Sequence, residues 1–132
     1  MKHQQEIIEA VKSAINYLES SLKALMNKDE NEVARSVWLA AAELEYANFF
    51  FSLMQDEPGS HSWKLKLRSK QVEMEPLLVS AQDLLKEAEG DLDVGGLHGA
   101  YKKTWMARGY LLKVQEVLEK GQKKGERSSS TG

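Results

Sequence analysis

The sequence predicts an all-α fold, an up-down-up-down antiparallel four-helix bundle, from three observations. Apolar residues recur at steps of three and four along almost the whole chain. Turn-forming residues cluster at Asn27–Asp29, Asp56–Ser60 and Asp91–Gly96, cutting the periodic pattern into four stretches. A length of 132 residues suits one compact domain with one core.

The first stretch carries Ile7, Val11, Ala14, Leu18, Leu22 and Leu25 on one stripe, opposite Glu6, Lys12, Glu19 and Lys23. It predicts a helix over about residues 3–27, with a turn at Asn27-Lys28-Asp29. Asp29 followed by Glu32 has the spacing of a capping box opening the second helix. That helix, about 30–55, is the most apolar piece, with 14 apolar residues among the 18 from Val37 to Met54. Glu43 and Glu45 interrupt it, which excludes a membrane span and implies burial on more than one side, within the bundle or against another subunit.

Asp56-Glu57-Pro58-Gly59-Ser60 breaks the chain. Trp63-Lys64-Leu65-Lys66-Leu67-Arg68 alternates like a short strand, yet Trp63, Leu67, Met74, Leu77, Leu78, Ala81, Leu84, Leu85 and Ala88 share a helical face. The third helix is therefore expected over about 62–89, kinked or restarted at Pro76 and stopped by Gly90. The fourth, about 95–120, turns Leu97, Ala100, Tyr101, Thr104, Leu111, Val114 and Leu118 inward. Residues 1–120 then form the bundle, and 121–132, rich in Gly, Ser and charge, form a disordered tail. A weak internal echo, helix then acidic turn then helix with an aromatic face, runs through both halves.

Composition narrows the function classes. Zero cysteines exclude disulfide scaffolds, thiolate zinc sites and cysteine nucleophiles, and suit a reducing, cytoplasmic setting. Met1–Ala10 is too polar for a signal peptide. Residues 1–57 hold 5 basic and 10 acidic side chains, whereas Gly99–Arg127 holds 8 basic and 3 acidic. That asymmetry suggests a basic face of Lys102, Lys103, Lys113, Lys120, Lys123 and Lys124 for an acidic partner such as nucleic acid, or simply attraction between the two ends of the molecule. Lys64, Lys66, Arg68 and Lys70 make a smaller basic cluster beside Trp63.

Two charged residues break the inward pattern. On the second helix Leu39, Ala40, Tyr46, Ala47, Phe50 and Met54 define the expected inner arc, with Glu43 at its middle and Glu45 on the outer, polar side. On the fourth, Arg108 lies among Leu97, Tyr101, Leu111 and Leu112. If these two helices run parallel across a bundle diagonal of about 14 Å, Glu43 and Arg108 sit at one depth and can bond. A bidentate pair offsets much of the cost of burying either charge alone. Thr104, Gln115, Tyr46 or Tyr101 would complete its hydrogen bonds. Such a pair sets helix register; it would also make a polar pocket for an anionic ligand or a proton exchange.

Other signatures are absent from the sequence. His3, His61 and His98 belong to no Glu-x-x-His pair, so no di-iron site or other metal is expected, and no cofactor motif occurs. Trp38 flanks the expected inner arc, a place for core or interface packing, and Phe49 lies well away from Glu43 on the helical wheel; both are candidate anchors of a subunit interface.

The stretch Val33–Leu53, VARSVWLAAAELEYANFFFSL, follows a long helix and an acidic turn. This resembles the small helical bundles of the HEPN superfamily, in which an Ala-rich helix follows a first helix and short turn. The resemblance covers about half the chain. Ribonuclease members carry an Arg followed by four to six residues and a His, but Arg35 and Arg68 have no His at that distance and His98 has no suitable Arg upstream. The resemblance thus implies a non-catalytic relative. Together these readings predict a non-enzymatic interaction or assembly module that associates with itself or another protein and not with membrane.

Overall fold

Ile7, Val11, Ala14 and Leu18 are fully buried along one stripe of α1 (Gln4–Met26), as their spacing predicts. The computed structural model describes residues 3–54 and 73–130, with backbone alone over 121–130. Three further helices follow: α2 (Glu30–Met54), α3 (Met74–Asp93) and α4 (Leu97–Ser130). The described residues contain no strand, and the helices pack into an all-α four-helix bundle.

Both hairpin turns close by the same backbone device. After α1, Asp29 N–H bonds the Ala24 carbonyl at 2.9 Å and Lys28 N–H bonds that of Leu25 at 3.1 Å. After α3, Gly96 N–H bonds the Asp91 carbonyl at 2.7 Å and Gly95 N–H bonds that of Leu92 at 3.2 Å. Each is a Schellman closure, which needs a left-handed residue at its corner. Gly95 takes that position at φ 79°, and Lys28 takes it at φ 57° without glycine's freedom. Asp29 then caps α2, its Oδ1 accepting from Glu32 N–H at 3.2 Å. The expected capping box is only half made, because the Asp29 N–H is already bonded to α1. Glu32 instead accepts from Arg35 Nη1 and Ser36 Oγ.

Gly90 does not stop α3, which runs on to Asp93; the closure at Gly95 ends it instead. Pro76 is the third residue of α3, in the first turn where no intrahelical donor is missed, so it begins a helix and kinks none. Residues 62–72 of the expected third helix lie outside the described residues, as does the Trp63 basic cluster. The helix of α4 continues to Ser130, past residue 120, where the sequence predicts a disordered tail. Gln122, Lys123, Lys124, Glu126 and Arg127 are good helix formers, and two glycines only weaken such a run.

Chain path is the main correction to the expected architecture. Gln4 donates to the Leu92 carbonyl and Gln82 donates to Ile15 and Glu19, so α1 and α3 are antiparallel neighbours. Phe51 stacks on Tyr101, Glu45 meets Arg108, and Ala34 faces Leu118, so α2 and α4 are antiparallel neighbours too. The order around the bundle is α1–α2–α4–α3, with directions up, down, up, down around the circle but up, down, down, up along the chain. The alternating path fails because α2 ends where α1 begins, whereas α3 begins at the opposite end, about 30 Å away. The connection over 55–72 is long enough to span that distance.

Candidate functional site

The two surfaces that could carry function are set by how α2 is rotated. Its buried residues are Val33, Ser36, Val37, Ala40, Ala41, Leu44, Ala47 and Phe51. The inner face is therefore turned by roughly a fifth of a circle from the expected arc, which moves Glu43 to its α1 edge. Because α2 is apolar nearly all round, its composition alone left the rotation ambiguous.

The expected interior pair of Glu43 and Arg108 does not form. Arg108 donates through Nε to Glu45 Oε1 at the rim of the α2–α4 seam. The Arg108 and Glu45 side chains remain 31% and 56% exposed. Glu43 is half-buried and bonded to no described side chain. Thr104 is fully buried, but its hydroxyl donates to the Ala100 carbonyl of its own helix at 2.8 Å. Gln115 is half-buried and lines a surface cleft of about 280 Å³ with Ala34, Trp38, Leu118 and Glu119. The four residues expected to share one polar pocket are thus distributed over separate places.

Three of the six lysines of the expected basic face, Lys103, Lys113 and Lys120, are paired within the chain. Lys103 Nζ donates to Asp91 Oδ2 at 2.7 Å, with Glu87 at 3.8 Å. The Asp91 hydrogen bond holds the Lys103 ammonium above its ordinary value despite partial desolvation. Gly99 permits this approach, since a Cβ there would lie 3.1 Å from Asp91 Oδ2. Lys113 and Lys120 both bond Glu116, and the Lys120 hydrogen bond, with the Lys113 charge, holds that carboxyl below the usual range. Lys102 is exposed without such a partner. Lys123 and Lys124 belong to the part of α4 described as backbone alone.

What the bundle does present is an apolar outer face on α2. Trp38 and Phe49 are 64% and 57% exposed, with Tyr46 and Leu53 half exposed beside them. Leu112 of α4 adds to the same side across the seam. Tyr46 and Phe49 each set a ring edge against Phe50, at 4.8 and 5.4 Å, which fixes the outer aromatics in place. Trp38 and Phe49 therefore both lie on the surface, Phe49 as its distance from Glu43 on the helical wheel predicts. Tyr46 and Phe50, expected inside, belong to the outer group or its margin. The contacts that sequence reasoning missed are Asp91–Lys103, across the α3–α4 turn, and Glu45–Arg108 and Gln82–Glu19, each joining residues 63 positions apart.

Among the described residues, no group of three or more His, Cys, Asp or Glu side chains could hold a metal ion. Nor is any described helix long and apolar enough to cross a membrane. Compared with known protein families, with curated proteins and with solved structures, the chain finds no match in any of the three. The likeness to HEPN bundles thus rests on the residues that suggested it.

Proposed function

We propose that this protein is a non-enzymatic interaction module that self-associates through the outer face of α2. The observation that carries the reading is the exposure of Trp38 and Phe49 together with Tyr46, Leu53 and Leu112 on one side of the bundle. Side chains of this size offer about 150–250 Å² each, so five half-exposed ones present roughly 500 Å² of apolar surface. Scattered single apolar residues are ordinary on a protein surface, but a patch of this extent is typical of binding sites. A standard interface covers about 800 Å² per partner, and in homodimers about 65% of it is apolar. The patch matches that requirement for one partner of similar size. A non-catalytic binding role also agrees with what the HEPN resemblance implies.

Sedimentation across a concentration series tests the proposal. The intact chain is expected to pass from monomer to dimer in the micromolar range. Phe49→Glu is expected to be monomeric with unchanged helix content, whereas Val79→Glu, on the outer side of α3, is expected to dimerise normally. A chain that stays monomeric at hundreds of micromolar, or a Phe49→Glu protein that dimerises as before, overturns it.

A further inference from the structure

Several exposed positions of α2 pair about one point; Tyr46 is the exception, its mirror position being the buried Ala41. Trp38, Ala42, Glu45 and Phe49 follow one another at steps of four, three and four, the spacing of a helix–helix seam. Trp38 and Phe49 are equally distant from the midpoint between Ala42 and Glu45, and so are Ala34 and Leu53. Two α2 helices laid antiparallel across a two-fold axis at that midpoint would meet as large against large, Trp38 on Phe49, and small against large, Ala34 on Leu53.

From this symmetry, and resting on the self-association proposed above, we infer that the partner of this face is a second copy of the chain. It docks α2 against α2 in antiparallel register with the axis between Ala42 and Glu45. A two-fold contact is self-complementary, so every pairing occurs twice. The structure has a receptor for each Leu53. The cleft lined by Ala34, Trp38, Gln115, Leu118 and Glu119 opens beside Ala34, at the level where this register delivers the partner's leucine. Ala42 exposes only a methyl group at the centre, permitting close approach of the two helices at about 8–10 Å.

The charges nearest the axis support the same arrangement. A Glu45 from each copy would lie close to the other, and like charges there oppose association. Each Glu45 is already bonded by the Arg108 of its own chain, so the centre holds two neutralised pairs and not two bare carboxylates. Arg108 is then a positioning residue for dimerisation, and its loss is felt by the dimer more than by the fold.

The chain has no cysteine, so a single introduced cysteine carries a spin label at one known place. Arg35 and Ser52 are exposed, lie at mirror positions about the proposed axis, and are about 25 Å apart along the helix. Mixing Arg35→Cys protein with Ser52→Cys protein is expected to give a short distance between unlike labels, on the order of 10–20 Å. Like labels are expected at about 25 Å or more. Leu53→Ala is expected to raise the dimer dissociation constant at least about tenfold, and Arg108→Ala to do so with Glu45→Gln restoring most of the loss. Short distances between like labels mean a parallel pairing and overturn the register. A sedimenting dimer with neither short distance places the interface elsewhere, so the register fails while self-association stands. A strict monomer with a shielded Trp38 assigns the face to residues 55–72 of the same chain and removes both proposals.

Discussion

Arg108 and Glu45 join α4 to α2 by a guanidinium–carboxylate bond, two positions along α2 from Glu43. Two positions turn a helical side chain by about 200°. Arg108 therefore reaches a carboxylate at the level the sequence suggests but on the opposite side of the helix, where water screens the pair. A double-mutant cycle separates the two glutamates. Glu45→Ala and Arg108→Ala are expected to couple by about 0.2–1 kcal/mol in unfolding free energy. Glu43→Ala and Arg108→Ala are expected to add without coupling, and a larger coupling to Glu43 would restore the interior pair.

Lys28 and Gly95 hold equivalent left-handed corners, so the same exchange has opposite signs at the two. Lys28→Gly is expected to stabilise the fold by about 1 kcal/mol, because a side chain is disfavoured at that backbone angle. Thermal unfolding should register it as a rise in Tm of roughly 3–5 °C. Gly95→Ala is expected to destabilise by about 1–2 kcal/mol, although a Cβ there meets no neighbour. The cost is backbone strain.

Thr104 is buried with its hydroxyl bonded inside its own helix. Replacing it with valine removes a donor without stranding a partner, since the Ala100 carbonyl keeps its backbone bond from residue 104. Chemical denaturation of Thr104→Val is expected to show a change within about 1 kcal/mol. A loss of several kcal/mol would mean that the hydroxyl serves a polar network.

Phe51 and Tyr101 stack at 5.0 Å with their rings 8° from parallel, both buried in the α2–α4 seam. Phe51→Ala is expected to cost about 3–5 kcal/mol in denaturant unfolding, the range for deleting a buried aromatic ring. Phe49→Ala, two positions earlier and on the surface, should cost well under half of that in the monomer.

Alkaline pH is expected to weaken the fold. Burial pushes the Tyr101 phenol above 10.0, and Asp91 holds the Lys103 ammonium above 10.5. Both native values lie above the unfolded ones, so the unfolded chain loses these protons first as pH rises. Their contributions are complete below about pH 10 and disappear as pH climbs through the raised native values. Unfolding free energies measured at pH 8 and pH 11 should differ, and Tyr101→Phe should reduce the difference.

Legibility varied with the strength of each local pattern. On α1 the spacing of Ile7, Val11, Ala14 and Leu18 names the core without ambiguity, and α4 is read nearly as well, from Ala100 to Leu118. On α2 the apolar surplus hides the inner face, so Glu45, and not Glu43, is the carboxylate that meets Arg108. Trp38 and Phe49 stay exposed under this rotation because both are outside either arc. Arg108 is correctly singled out as a residue with a helix-two carboxylate for a partner, but the identity of that carboxylate depends on rotation and direction together.

Periodicity and turn chemistry, which act over a few residues, suffice to determine four helices, their two tight hairpins and a single helical core. They operate within one segment at a time. Which helices neighbour each other, which way each runs, and which charges meet across a seam depend on contacts between residues tens of positions apart. Those contacts are selected by packing of the whole core. The path in which α2 and α4 lie antiparallel, and the turn of α2 that sets Trp38 and Phe49 outward, are decided there.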